Sequence, residues 1–295
     1  MRRAVALGGV LLTWGLSLLA AGGQTLGANG GLVVERVRDN LYVLKGGGGN
    51  TAVFIGSQGV TVVDTKNPGW GQAILDAVRT LTAKPVIRII NTHAHGDHVS
   101  GNVEFPGAVD VVVQENTRAN MARMRAASTD PPGTEGPTTQ SFKDRMTIGA
   151  GPDQMDLYYF GRGHTDGDAW VVWPALHVMH AGDIFSGKVA PILDANNGGS
   201  GVEIGNSLAR GARAVEHIDT VITGHGPEMT MADVLQYAEF NKDFLDYVRS
   251  ASRVGKSVEA IASEYRLPAP YIGYTADQVR VGNNVRLIVE ELKRP

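Results

Sequence analysis

The segment Thr92-His93-Ala94-His95-Gly96-Asp97-His98 places three imidazoles and a carboxylate within six residues, directly after the apolar run Val86–Ile90. At average residue usage such a match arises by chance with a frequency on the order of 10⁻⁴ in a chain of this size. Imidazole and carboxylate are donors that suit divalent metal ions. The spacing lets positions 93 and 95 reach one ion while 97 and 98 reach a second. Cysteine is absent from all 295 residues. That removes thiolate nucleophiles, disulfides and Cys-ligated zinc or iron-sulfur clusters, and leaves His, Asp and Glu to hold any metal.

Three further positions share the same context, an apolar strand ending against glycine. His164 follows Met155–Phe160 in Gly161-Arg162-Gly163-His164, Asp183 follows Leu176–Met179 in Ala181-Gly182-Asp183, and His225 follows Asp219–Thr223 in Gly224-His225-Gly226. Four strand ends thus offer seven candidate ligands: His93, His95, Asp97, His98, His164, Asp183 and His225. Loops rooted on a sheet edge are where a rigid scaffold presents functional groups. His177, His180 and His217 lack that context and read as ordinary core or surface residues. Asp64, which ends Val60–Asp64, reads equally as a carboxylate orienting a ligand imidazole or as a turn cap.

The elements that must carry these ends show in the apolar spacing. Val33–Lys45, Thr51–Ile55 and Val60–Asp64 read as strands, separated by the turn-forming Gly46–Asn50 and Gly56–Gly59. Gln72–Leu81 sets Ile74, Leu75, Val78 and Leu81 on one helical face. Val86–Ile90 and Val109–Gln114 are short apolar strands, and Glu115–Ala127 is helical. Ser128–Gln140 holds three prolines and no large apolar side chain, so it is a loop, of a length that suits a lid or a disordered segment. Beyond it, strands are expected near Met155–Phe160, Ala169–Trp173, Leu176–Met179 and Asp219–Thr223, with a helix near Ile204–Glu216.

Thr230 with Asp233 starts a helix, whose aromatic stripe Tyr237, Phe240, Phe244 and Tyr247 reads as core packing; Thr275 with Gln278 caps a last helix through Leu292. Runs of strands followed by single helices, twice over, predict paired sheets with helices outside. Residues 230–295, with nine basic and nine acidic side chains, read as a helical cover on a single domain over 32–295.

Met1-Arg2-Arg3 followed by the apolar Ala4–Ala21 and by Gly22-Gly23 has the order of a secretory signal over residues 1–23, ahead of a flexible 24–31. The run is shorter than the roughly 20 apolar residues of a spanning helix, so a periplasmic or secreted protein with no membrane span after signal removal is expected. Without residues 1–23 the formal charge moves from −3 to −5, since two arginines and no acid are lost. No Lys/Arg block follows, which argues against nucleic acid and for a small-molecule substrate.

With HxHxDH at 93–98, GHT at 164, GD at 182–183 and GHG at 224–226, in that order over residues 32–228, the chain resembles the metallo-β-lactamase superfamily. The resemblance implies a four-layer αββα sandwich with a dinuclear site. His93, His95 and His164 would hold the first metal, Asp97, His98 and His225 the second, and Asp183 would bridge them. Two Zn²⁺ ions per chain fit the donor set, with iron or manganese as substitutes.

The implied chemistry is hydrolysis, with Asp97 orienting a hydroxide that attacks the carbonyl of a lactam, lactone, ester or thioester. Lys188 is a candidate for a substrate carboxylate, and Asn196 or Asn197 for an oxyanion. Members that bind their second zinc through Cys are not matched, and the shared acid resembles the glyoxalase II and lactonase branch. Persulfide dioxygenases, with the same motif and a single iron, are the alternative from another reaction class. A non-catalytic metal-binding accessory protein is the third reading.

Overall fold

The computed structural model describes residues 31–127 and 140–293. The readings for residues 1–23, for 24–30 and for the proposed lid over 128–139 lie outside the described residues. Among the described residues no helix is long and apolar enough to cross a membrane.

The first sheet has seven strands in sequential order: β1 (Val33–Arg38), β2 (Leu41–Lys45), β3 (Thr51–Ile55), β4 (Val60–Val63), β5 (Val86–Ile90), β6 (Asp110–Gln114) and β7 (Gln140–Phe142). Its first four strands form an antiparallel meander. From β4 onward the pairing is parallel, because α1 (Gly71–Leu81), the single turn α2 (Gly96–Val99) and α3 (Glu115–Ala127) serve as crossovers. The second sheet is ordered β12-β11-β10-β9-β8, from β8 (Arg145–Ile148), β9 (Met155–Tyr159), β10 (Ala169–Trp173), β11 (Val178–Gly182) and β12 (Thr220–Thr223). Only β11 and β12 run parallel, joined through α4 (Ile204–Ala214). The helical cover is α5 (Met231–Arg253), α6 (Val258–Glu264) and α7 (Gln278–Leu292).

The strict two-residue alternation of β10 shows why the sheets stack. Ala169, Val171 and Trp173 face the other sheet, where they meet Val43, Phe54, Val63 and Ile90, whereas Trp170 and Val172 face α4 and α5. Both faces of the strand are apolar, so both must be covered. Truncating Trp173, fully buried between the sheets, to Ala should cost about 3–5 kcal/mol. The far face of the first sheet packs on α1 through Ile74, Ala77 and Val78. The result is the αββα sandwich implied by the motifs.

Several local expectations are corrected. The run Val33–Lys45 is two strands, because Asp39 takes φ 32° and turns the chain back into an antiparallel pair. The strand expected over Leu176–Met179 is Val178–Gly182: Pro174 has no N–H to give a ladder, Pro174–Leu176 coil into a single turn, and His177 turns at φ 57°. Asp183 therefore follows the strand directly. The last helix is capped by Asp277, whose carboxylate accepts the Arg280 N–H at 2.9 Å; Thr275 lies on a short bridge to Val189 instead. Thr230 and Asp233 do form the expected capping box.

Candidate metal centre

Because β9, β11 and β12 point one way in their sheet, and β4 and β5 one way in theirs, their C-terminal ends gather at a single edge of the sandwich. The seven candidate ligands come together there in two groups. In His93, His95, His164 and Asp183, and again in Asp97, His98 and His225, the donor atoms lie within 4.8 Å of one another. Asp183 faces both groups. Its Oδ1 is 3.3 Å from His98 Nε2, and its Oδ2 is 3.3 Å from His225 Nε2 and 3.8 Å from His164 Nε2. A Cβ at Gly224 would overlap the Asp183 carboxylate, so only glycine lets the β12 loop pass behind it.

The hydrogen bonds on the outer nitrogens fix which nitrogen each imidazole turns inward. His164 Nδ1 donates to the Ile192 carbonyl at 2.6 Å, and His93 Nδ1 lies 3.0 Å from Thr92 Oγ1, which itself donates to Asp64 Oδ2 at 2.7 Å. His98 Nδ1 donates to the same Asp64 oxygen at 2.7 Å. These three rings leave Nε2 free. His95 is reversed: its Nε2 donates to Asp194 Oδ2 at 2.6 Å, leaving Nδ1.

The inward nitrogens of His95 and His164 then stand 2.9 Å apart as two lone pairs, and His93 Nε2 is buried with no hydrogen-bond partner. Facing lone pairs repel, and a cation is what removes that repulsion. The donors present therefore fit a metal ion.

Protonation tells the same story. Burial, reinforced by the neighbouring imidazoles, holds His93 well below its ordinary value, and burial holds His164 at about 4, so both are neutral donors at pH 7. Burial alone would lower His98 too, but Asp183 and Asp64 outweigh it and draw the ring well above its ordinary value. His225 is raised to about 9 by its hydrogen bonds to Asp183 and Asp97. The second group, rich in carboxylate, is a place where positive charge is wanted.

The comparisons with known proteins agree with this geometry. The metallo-beta-lactamase superfamily profile matches residues 44–225, more than half of the chain and all seven candidate ligands. The chain belongs to that superfamily. Two curated relatives are the alpha subunit of 2,4-dinitroanisole O-demethylase from Nocardioides sp. (strain JS1661), 26% identical over 165 residues, and the type 2 metallo-beta-lactamase of Elizabethkingia meningoseptica, 27% identical over 176 residues. These matches take in 55% and 56% of this chain, and 49% and 65% of the relatives' own lengths.

Among solved structures, the inverting sec-alkylsulfatase Pisa1 from Pseudomonas sp. superposes with a TM-score of 0.73 at 14% identity, covering 88% of this chain and 50% of that one. The metallo-beta-lactamase from Pontibacter korlensis superposes with a TM-score of 0.62 at 18% identity, covering 72% and 99%. At these identities the likeness shows the shared superfamily fold.

In this superfamily member the two groups open into a cleft of about 450 Å³, lined by His95, Asp97, His164, Asp183 and His225 together with Ser186, Val189, Ile192 and Arg280. Of the expected substrate contacts, none lines it. Lys188 pairs with Asp233, Nζ to Oδ1 3.1 Å. Asn197 donates to Asp194 Oδ2 at 2.5 Å and, like the Asn196 carbonyl, accepts from Arg123. Both asparagines build the turn that presents Asp194.

Asp194 itself carried no motif to betray it. The pattern Asp-Ala-Asn-Asn reads as a capped turn, which it is, since its other oxygen accepts from the Asn196 and Asn197 N–H groups. Arg280 is likewise silent in sequence, being one basic residue on a helix outside the superfamily match.

Proposed function

We propose that the chain is an exported, metal-dependent hydrolase that uses two ions, zinc by preference, to cleave an activated carbonyl bond. The observation that carries this reading is the placement of Asp183 between the donor groups, its Oδ2 3.8 Å from His164 of the first and 3.3 Å from His225 of the second, with Oδ1 3.3 Å from His98. A carboxylate so shared suits a pair of ions rather than one. Ions held by these groups supply Lewis acidity, polarising a substrate oxygen and making water a usable nucleophile near neutral pH without a Ser or Cys.

The chain's own residues provide the rest. Asp64 and Asp194 lock His98 and His95, so the ligands are set before substrate arrives. Asp97 sits on the cleft wall with its carboxylate partly exposed and 3.1 Å from His225 Nε2. Burial would raise its pKa, but the His225 and His98 rings overcome that and keep it ionised. As an anion at the rim, it accepts a hydrogen bond from the attacking water and orients it. Export rests on the Met1–Gly23 pattern.

The similar proteins named above, an O-demethylase, a beta-lactamase and a sec-alkylsulfatase, differ in the bond cleaved, so the test must be broad. The purified protein is assayed anaerobically against a β-lactam, a lactone, an aryl ester, a thioester and a secondary alkyl sulfate, alongside metal analysis. Turnover of a carbonyl substrate with close to two ions per chain is expected. One iron, with oxygen consumed on addition of a persulfide, would decide for an oxidoreductase instead.

A further inference from the structure

The structure assigns Arg280, on the C-terminal helix, as the side chain that binds a non-reacting carboxylate on the substrate. This rests on the hydrolase reading above and names the class of molecule that site takes. Among the residues lining the cleft, Arg280 is the one permanent cation, and the two carboxylates there are engaged with the donor groups. It also lines a second, adjoining hollow of about 280 Å³ with Ile192 and Val279, so the guanidinium stands where the inner cleft opens outward.

Its position is fixed from two sides. Nη1 donates to the Ala190 carbonyl at 2.9 Å, and Nε lies 3.5 Å from Asp277 Oδ2. The ion pair with Asp277 is solvent-exposed and long, hence weak. Nη2 has no partner among the described residues.

The backbone around it is equally well held. Asn284, buried one turn further along α7, donates to the Pro191 carbonyl at 2.9 Å, and Ala190 N–H donates to the Thr275 carbonyl at 2.8 Å. A guanidinium fixed through Nη1, with Nη2 free and Nε only in a long ion pair, is pre-organised to take an oxyanion. Helix energetics do not explain its placement: as the third residue of α7 it puts positive charge at the positive end of the helix dipole, the unfavourable end. Val189 and Ile192 make the wall beside it apolar. The substrate that fits is a compact acyl compound whose apolar stem passes these two residues and ends in a carboxylate.

The test compares two chromogenic esters matched in length, mono-4-nitrophenyl glutarate and the neutral 4-nitrophenyl valerate, on the zinc-loaded protein. The wild type should favour the glutarate in kcat/KM, and Arg280→Gln should reduce that ratio by about tenfold to a hundredfold, mostly through KM. Arg280→Lys, which keeps charge without the fork, should fall between. Metal content and thermal midpoint measured on each variant separate loss of the contact from loss of the fold. Calorimetric titration with glutarate itself gives a readout free of turnover, and the same variants should weaken binding in the same order. If neither ester is cleaved, the carbonyl-hydrolase reading fails while the titration still judges Arg280. A wild type with no preference for the anion, or a glutarate affinity equal in wild type and Arg280→Gln, overturns the assignment.

Discussion

The two donor groups at the sheet edge are built to different standards. In the first, His93, His95 and His164 each commit the outward nitrogen to a hydrogen bond and are buried or nearly so. In the second, only His98 is so fixed; the His225 side chain is 40% exposed and that of Asp97 32%. The loop carrying His225 is nevertheless secured through its backbone, by Asn50, whose side chain donates to the carbonyls of Thr223 and Gly226. The lesson is that one group is rigid at the level of the side chain and the other only at the level of the chain. Under the two-ion reading proposed above, such a pocket should hold an ion at the first group more tightly than at the second.

The largest test of that asymmetry is Asp183→Asn, which keeps the shape and removes the charge that offsets repulsion between two dications. Metal analysis should show the ion of the Asp97, His98 and His225 group lost first, while the first group keeps three imidazoles. Hydrolysis should fall by roughly 10²-fold or more. Two ions bound with near-native turnover would mean that the acid does not bridge.

Asp194→Ala should make the first group behave like the second. Without its partner His95 loses the bond that sets its ring, and zinc affinity at that group should weaken by about 10–100-fold in competition with a chelating dye. Unchanged affinity would leave Asp194 as a turn residue only.

Lys66 sharpens the comparison from the scaffold side. It is fully buried, its ammonium donates to the carbonyls of Leu44 and Gly49 at 2.8 and 2.7 Å, and a Cβ at Gly49 would overlap the His98 ring. Burial pulls its pKa from 10.5 down to about 7. Below that value both folded and unfolded chains carry the proton; between there and 10.5 the unfolded chain binds more, so stability rises with pH. Urea unfolding from pH 7 to 10 should show the wild type gaining stability relative to Lys66→Met, on the order of a few kcal/mol. Parallel curves would show that Lys66 titrates normally.

The smallest effect is a control for both groups. Thr230 caps α5 and belongs to neither group, and Thr230→Ala should cost about 1 kcal/mol of stability with both ions retained. Loss of an ion in that variant would show that metal binding simply follows global stability.

How much of this was legible in sequence depended on whether a residue does one thing or two. The candidate ligands announced themselves because each ends an apolar strand beside glycine, and the sandwich followed from strands apolar on both faces. Asp194 was hidden because it caps its own turn with one oxygen and holds His95 with the other, so the ordinary explanation of the residue was already complete. The strand at Arg145–Ile148 was missed although Arg-Met-Thr-Ile alternates as a strand should, because four residues beside a long polar loop make a weak pattern. The short α6 has a stripe of only two turns, Val258, Ile261, Ala262 and the following Tyr265, too short to stand out in sequence, and is fixed by packing that stripe into the cluster of α5 and α7.

The stretch from Lys188 to Asp194 joins the C-terminal helix to the first donor group. At one end it is hydrogen-bonded to Thr275, Arg280 and Asn284; at the other it receives the imidazoles of His164 and His95. Fraying of the C-terminal helix and loosening of the first donor group should therefore be coupled. By reciprocity, whatever an ion gains from well-set ligands it returns as slower amide exchange in the first turns of α7. Amide exchange in α7, outside the part that marks the superfamily, should thus report whether the metal centre is filled.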